Sequence, residues 1–484
     1  MGLHSLSLCK LLDRFRWVFC QLETLRHCLP PSVRLTLEEL PESLDETYER
    51  ILKEIKKPNK RLAQRVLQCL VAAIRPLRVA ELAEVLAVDF DDVEGIPRSK
   101  SDWQWDDQEQ ALLAACSSLI AIVGAGDVVA SNNDSKDESD DGNSRVEAGD
   151  LRVVQFSHFS VREFLTSSRL ATASGEVSNY HIDSEPAHTI LGQACVGVLL
   201  QYDVEGHTRK DHPLVRYAAE HWTTHAQFGE ALSSLQKGIE YLFDPDKPHF
   251  RAWLRIYDID THPRSGRGSG TPLYWFCNKT STAAPLYYAA LCGFHDTVEH
   301  LISKYPQDLN ADGGYYIRPI LAALEGEHFK TADLLRHNGA DPHVRGNQKS
   351  TPLHSTANCF YNIGHIKVVQ KLIEYDADIN VVNIHGSTPL HWASRGQHFK
   401  DGAVLRLLLQ HGGDVNARDI NGLTSLHEAS EHGALEVVRL LLEYGADVEA
   451  EDDYGRTALQ VASQYGYDEV VKFLENVEPS RNTS

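Results

Sequence analysis

Apolar residues return at helical spacing soon after the chain begins. In Pro41–Ile55 the positions Leu44, Tyr48, Ile51, Leu52 and Ile55 share one face, and Ser43 stands three residues before Glu46, so a capping box opens this helix. A second helix is predicted from about Arg61 to Ile74, stopped at Arg75–Pro76, and a third over Val79–Ala87. Ser118–Val123 (SLIAIV) and Leu151–His158 (LRVVQFSH) have the composition of strands. Ala111–Gly126 falls short of the ~20 apolar residues that span a bilayer and reads as a buried helix running into the first strand. Between the strands, Ser131–Asp150 holds seven acidic and two basic residues with one aliphatic beyond Ala, which predicts a disordered tip on a two-stranded hairpin. Helices resume over Ser160–Ser167, Glu185–Gln201, Pro213–Phe228 and Ala231–Phe243, and Asp244–Thr280, rich in Pro, Gly and Arg toward its end, reads as an irregular connector.

From Ala284 the pattern becomes periodic. T-P-L-H occurs at Thr351 and Thr388, with variants APLY at Ala284, RPIL at Arg318, TSLH at Thr424 and TALQ at Thr457. Second positions are spaced by 34, 33, 37, 36 and 33 residues, the ankyrin period of ~33 with extra residues near Asn358–Ile363 and Gln397–Gly402. Thr can cap a first helix and Pro suits its first turn, while Gly339, Gly412 and Gly445 stand where a second helix ends left-handed. Asp376 replaces that Gly once, and Lys349 stands where the hairpin Gly is found at Gly386, Gly422 and Gly455. About six stacked repeats bury faces that one repeat could not. His354, His391 and His427 are expected to tie adjacent loops together by hydrogen bonds.

Charge and cysteine content narrow the class. With 47 Lys and Arg against 68 Asp and Glu the chain carries a formal charge of −21, which repels phosphate backbones and anionic membranes alike, so neither nucleic acid nor membrane is expected as a partner. Nine scattered Cys without a C-x-x-C pair favour reduced thiols and a cytoplasmic or nuclear protein. The start, MGLHSLSLCK, has neither secretory nor myristoylation features.

Three stretches, RWVFCQLETLRHCLPPSVRLTLEELPESLDETYERIL, LQCLVAAIRPLRVAELAEVLAVDF and QFSHFSVREFLTS, resemble fungal NACHT–ankyrin proteins of the signal-transducing ATPase class, in the part after their nucleotide-binding core. The resemblance implies residues 1–30 as a remnant of the NACHT helical arm, a winged-helix-like domain of the GPI inositol-deacylase type over 31–182, a helical spacer over 183–243, a linker over 244–281, ankyrin repeats over 282–475 and a disordered tail over 476–484. The fold class expected is mainly α, with short β-hairpins in the solenoid. A P-loop needs G-x-x-x-x-G-K-[ST], and the sequence has no Gly-Lys dipeptide, so nucleotide binding is not carried over. The expectation is a truncated member of that family or a gene missing its first exons.

Candidate chemistry is thin. A DNA-reading helix presents Arg, Lys, Asn or Gln to base edges, whereas Val79–Ala87 carries Glu81 and Glu84 and the helix near Asp106–Leu113 opens with Asp106, Asp107 and Glu109. His221 and His225 have i,i+4 spacing but too few neighbouring ligands for a metal, and HEASEH at His427–His432 is one residue too long for a zincin motif. No G-x-S-x-G elbow occurs, and Cys292 reads as packing. No catalytic, cofactor, metal or small-molecule site is therefore assigned, and the chain is expected to be a non-enzymatic scaffold or sensor arm. Protein contacts are expected at hairpin tips and exposed first-helix positions: His385, Ser387 and Arg395; Ile420, Asn421, Leu423, Glu431 and His432; Asp453, Tyr454, Arg456, Gln464 and Tyr465. Tyr454 and Tyr465 are the expected anchors. The alternatives are the C-terminal part of a NACHT-type NTPase switch and a DNA-associated regulator.

Overall fold

The structure is a computed structural model that describes residues 43–89, 98–99, 107–124, 152–202, 212–260, 283–357, 364–395 and 402–477. Residues 1–30, the acidic segment 131–150, positions 261–281, the extra residues at 358–363 and 396–401, and the end of the chain from 478 lie outside the described residues. The described chain falls into two compact units, divided between Tyr257 and Asp258.

In the first unit, α1 (Leu44–Glu54) opens as expected, with the Ser43 hydroxyl accepting the Glu46 N–H at 3.2 Å. Its buried Tyr48 donates or accepts a 2.9 Å hydrogen bond with Ser160 Oγ. α2 (Lys60–Ala72) buries Ala63, Val66, Leu67 and Leu70, and the chain turns at Arg75–Pro76 into β1 (Leu77–Arg78). Then follow α3 (Val79–Leu86), β2 (Val88–Asp89), β3 (Arg98–Ser99), α4 (Gln108–Cys116), β4 (Ile120–Val123) and β5 (Val153–Phe156). β4 and β5 pair antiparallel with Ile120 opposite Phe156 and Val123 opposite Val153. β1 adds to the other edge of β5, so the sheet order is β1-β5-β4. Helix, short strand, two helices and a two-stranded wing in this order make a winged helix. Sequence pattern foretold β4 and β5 but not β1, because two residues are too few to show a period.

α5 (Phe159–Leu165) and α6 (Ser168–Ala171) close this domain, followed by α7 (Ser184–Gln201), α8 (Val215–Ala226) and α9 (Ala231–Leu242). The stretch expected as irregular connector begins with a further helix, α10 (His249–Ile256). Its signal is short, but Phe250 and Trp253 point one way. Trp253 meets Trp222 edge-on at 5.3 Å and Phe243 at 5.8 Å, and its indole N–H donates to the Ala219 carbonyl at 2.9 Å. The aromatic cluster makes α10 part of the first unit's core.

Among its described residues the second unit contains six helix pairs: α11 (Pro285–Cys292) with α12 (His295–Lys304), α13 (Pro319–Glu325) with α14 (Phe329–His337), α15 (Pro352–Ala357) with α16 (Gly364–Glu374), α17 (Pro389–Ser394) with α18 (Ala403–Gln410), α19 (Ser425–Glu431) with α20 (Leu435–Glu443), and α21 (Ala458–Tyr465) with α22 (Asp468–Glu475). Repeats are stapled on two sides. On one, His354 Nδ1 accepts the Thr351 N–H at 3.2 Å while Nε2 donates to the Ser387 carbonyl at 2.9 Å. His391 joins Thr388 to the Leu423 carbonyl and His427 joins Thr424 to the Arg456 carbonyl in the same way, as the repeat register predicts. On the other side, the Asn380 side chain donates to Gly412 O and accepts from Asp414 N, and Asn416 does the same with Gly445 and Asp447. Asn310 repeats the bond with Gly339 and Asp341.

The joint between the second and third pairs is different. Tyr287 stands at the His position of the first repeat and serves it, its hydroxyl accepting the Tyr316 N–H at 3.0 Å and donating to Asp260 at 2.7 Å. In the second repeat this position is Leu321, which cannot hydrogen-bond. The following turn also has Gly346 where later hairpins have Asn383, Asp419 and Asp452, and a small apolar cleft lined by Tyr316, Leu321, Leu324, Pro352 and Val368 opens here. Gln348 and Lys349 adopt φ of 59° and 55°, and Asp376 64°, so side chains occupy backbone that Gly would occupy without strain.

Two measurements check this account. Trp253→Ala should destabilise the first unit by about 3–5 kcal/mol in urea unfolding, the cost of emptying a packed aromatic site; a change below about 0.5 kcal/mol would make α10 peripheral. Lys349→Gly should raise the unfolding free energy of the repeats by about 1 kcal/mol, because it relieves left-handed strain.

Candidate protein-binding surface

Each hairpin between the later repeats is built around one Asn or Asp. Asn383 Oδ1 accepts the N–H groups of His385 and Ser387 at 2.8 and 3.1 Å, Asp419 Oδ1 those of Asn421 and Leu423 at 2.8 and 2.9 Å, and Asp452 Oδ1 those of Tyr454 and Arg456, both at 2.9 Å. These turns present their tips outward, and the tips bond to one another. Ile384 N donates to Gln348 O, Ile420 N to His385 O and Asp453 N to Asn421 O, at 2.9, 3.0 and 3.0 Å. Gly386 and Gly422 are required by this approach. Each has positive φ, and an added Cβ would lie 3.0 Å from Ile420 N in one case and 2.9 Å from Asp453 N in the other.

Behind the tips lies an open groove of about 460 Å³ between the hairpins and the first helices. It gathers seven of the thirteen predicted residues: His385, Ser387, Arg395, Asn421, Leu423, Glu431 and His432. Arg395 is held on its floor by a bidentate pair with Glu428 of the next repeat, 2.9 Å from Nε and 2.7 Å from Nη2, and its guanidinium lies 5.8 Å from the Trp392 ring centroid. Burial alone would lower the Arg395 pKa, but the Glu428 carboxylate raises it, so the pair stays ionised. Ser387 is 2% exposed and spends its carbonyl on His354, so it offers little side chain to a partner. Leu423 is half-buried with its carbonyl committed to His391, and the His432 ring donates to the Glu428 carbonyl at 2.9 Å.

The other six stand at the tips and along α21. Ile420 is 60% exposed and Tyr454 76%, with the Arg456 guanidinium 5.1 Å from the Tyr454 ring. Arg456 is shared between Asp452 at 2.8 Å and the exposed Gln464 at 2.8 Å. Desolvation works to raise the Asp452 pKa, but the Arg456 N–H and guanidinium hold it below the ordinary carboxylate range. The Tyr465 hydroxyl donates to Glu431 at 3.0 Å, which raises its pKa, and Asp453 is exposed. Trp392, Glu428, Asn383, Asp419 and Gln348 complete the groove and were not foreseen. The signal for Asn383 and Asp419 was present, since both stand three residues before the hairpin Gly; that for Glu428 was not, because a carboxylate beside T-S-L-H reads as exposed.

In the first unit, His225 turns to His188 rather than to a shared ligand with His221. Tyr217 Oη accepts the Ile74 N–H at 3.2 Å and is hydrogen-bonded to His225 Nε2 at 2.9 Å, while His225 Nδ1 shares a 2.8 Å hydrogen bond with His188 Nδ1. Burial, then the neighbouring imidazoles, push His225 down to about 3, consistent with a neutral relay. The winged-helix position that reads DNA in DNA-binding relatives of this fold is α4. Its exposed residues are Gln110, Leu113 and Ala114, and its Glu109 pairs with Arg152 at 2.6 Å. Glu81, by contrast, is buried and pairs with Arg75 at 2.7 Å, and Glu84 accepts the Leu214 N–H at 2.7 Å.

The relay that aligns the tips is pH-sensitive. Burial pushes His354 from its ordinary 6.5 down to about 4, and His391 and His427 are lowered by the same cause. A lowered folded-state value favours the neutral form, so this stability is full above about pH 6.5 and is lost as pH falls through about 4, some 3 kcal/mol for His354. Stability of the repeats should therefore drop between pH 6.5 and 4 in denaturant titrations followed by circular dichroism. His354→Gln, which copies the cap that Gln460 makes with Thr457 at 3.0 Å, should keep the fold and flatten part of that slope.

Comparison with known proteins agrees with this geometry. A model of ankyrin repeats matches three copies over residues 319–419 and 396–483, and a model of the GPI inositol-deacylase winged helix domain matches residues 48–136. An azaphilone pigments biosynthesis cluster protein L of Monascus ruber is 30% identical over 321 residues, 63% of this chain and 61% of that protein. An ankyrin repeat protein of Rickettsia felis is 36% identical over 74 residues, 15% of this chain and 33% of its own length. A transient receptor potential cation channel subfamily A member 1 homolog of Caenorhabditis elegans is 24% identical over 134 residues, 24% of this chain and 11% of that channel. The chain thus spans less than two thirds of each of these relatives. Among the described residues no helix is long and apolar enough to cross a membrane. The chain is mainly helical and combines ankyrin repeats with a winged helix of the GPI inositol-deacylase type.

Proposed function

We propose that this chain is a non-catalytic interaction protein whose ankyrin repeats hold a protein partner, as a scaffold or sensor arm in signalling or recognition. The observation that carries this reading is the row of tips. Ile384, Ile420 and Tyr454 are 49, 60 and 76% exposed on turns whose backbones are fixed to one another, so large apolar groups are kept in water at ordered positions. The groove behind them supports contact rather than chemistry, since Arg395 and Glu428 neutralise each other. A cytoplasmic or nuclear setting suits the reduced buried thiols of Cys69, Cys116, Cys195 and Cys292.

A second reading, the C-terminal part of a NACHT-type nucleotide-driven switch, draws on the winged helix of the GPI inositol-deacylase type next to ankyrin repeats. A DNA-associated role finds less support, because the exposed face of α4 offers no cation to phosphate.

Affinity capture with the full chain tests the first reading. Partners held by the wild type should fall to about a tenth or less in Tyr454→Ala plus Tyr465→Ala, in the range of aromatic hot spots, with unchanged circular dichroism. Retention of the same partners at the same strength would overturn it. Saturable ATP binding by the chain would instead favour the switch.

A further inference from the structure

The tip row is apolar at its crest and acidic along its flank. Asp419, Glu451 and Asp453 flank Ile420 and Tyr454 along the chain and Glu431 lines the groove behind them, where it accepts the Tyr465 hydroxyl; among the described residues no close ion pair joins any of these four to Lys or Arg. The arginines of this face are already engaged: Arg395 with Glu428, Arg456 with Asp452, and Arg418 with the Glu451 carbonyl. The imbalance extends through the last repeats, where residues 402–477 hold fourteen Asp and Glu against five Lys and Arg. Glu431 is felt by Arg395 and Arg456 and Asp419 by Arg395, but carboxylates still outnumber guanidinium groups around the exposed apolar crest, an excess that repels acidic surfaces and attracts cationic ones. A second copy of this chain would bring the same charge, so self-association across this face is opposed.

We infer that the tip row takes a polypeptide segment in which Lys or Arg side chains are interleaved with apolar ones. Its apolar groups cover Ile420 and Tyr454, and its cations meet Asp453, Glu451 and Glu431. This rests on the reading of the repeats as a protein-binding arm and adds the partner's chemistry to it.

Panning the immobilised full chain with a random peptide library, followed by fluorescence anisotropy of the enriched peptides, tests the inference. Enriched peptides should carry net positive charge with aliphatic or aromatic residues between the cations. Their affinity should weaken by about tenfold or more in Glu431→Gln plus Asp453→Asn and in Tyr454→Ser, the scale of close charge pairs and aromatic anchors. Glu443→Gln plus Glu469→Gln removes the same charge from exposed positions on α20 and α22 and should leave affinity within about twofold. Enrichment of neutral or acidic peptides, no enrichment, or equal weakening in both charge variants would overturn the inference. If affinity capture still depends on Tyr454 and Tyr465 when this test fails, protein binding stands and the cationic chemistry falls. If both fail, the protein-binding reading falls with it.

Discussion

A neutral imidazole with its proton on Nε2 organises the later repeats. Its Nδ1 must be an acceptor, because the Thr N–H points at it, and its Nε2 must be a donor, because a carbonyl of the next hairpin lies opposite. One side chain thereby caps its own helix and sets the height of the neighbouring turn. An added proton would place a donor against a donor, so the same geometry that orders the stack also restricts its charge state. The tips, the groove floor and the Arg395–Glu428 pair are all placed by turns that this ring holds.

Where the ring is missing, the stack changes character. Leu321 removes the crosslink, Gly346 removes the side-chain acceptor that braces later turns, and two residues of the following turn sit in left-handed backbone. The small apolar cleft lies at this same joint. In a linear array each repeat answers only to its neighbours, and here the second helices carry the joint instead: Asp333 of α14 accepts the hydroxyl of Tyr375, the residue after α16, at 2.7 Å and pairs with Lys371 of α16 at 3.2 Å. The last four repeats carry the histidine relay and the proposed binding row, so that row sits on the repeats whose loops are tied to one another by imidazole.

Much of this was legible because ankyrin geometry writes itself into short motifs. T-P-L-H located the caps, the glycines located the left-handed turns, and the departures at Lys349 and Asp376 became the left-handed side chains at those two positions. The helix α10 escaped because it has barely two turns, and its core role comes from Trp222 and Phe243, which are distant in sequence. The groove was half legible. Tip residues follow from register, but the burial of Ser387 and the capture of Arg395 by Glu428 depend on how neighbouring repeats abut, which no pattern within one repeat encodes.

The hydrogen-bonded tips also impose a metric. Helices in contact lie about 8–10 Å apart, while an extended polypeptide advances about 3.3 Å per residue. A strand laid across successive turns therefore meets a new one at every third residue. The hydrogen bonds from Gln348 to Asp453 tie the turns at that interval, so in the proposed mode of binding the spacing of side chains along the bound segment counts as well as their character.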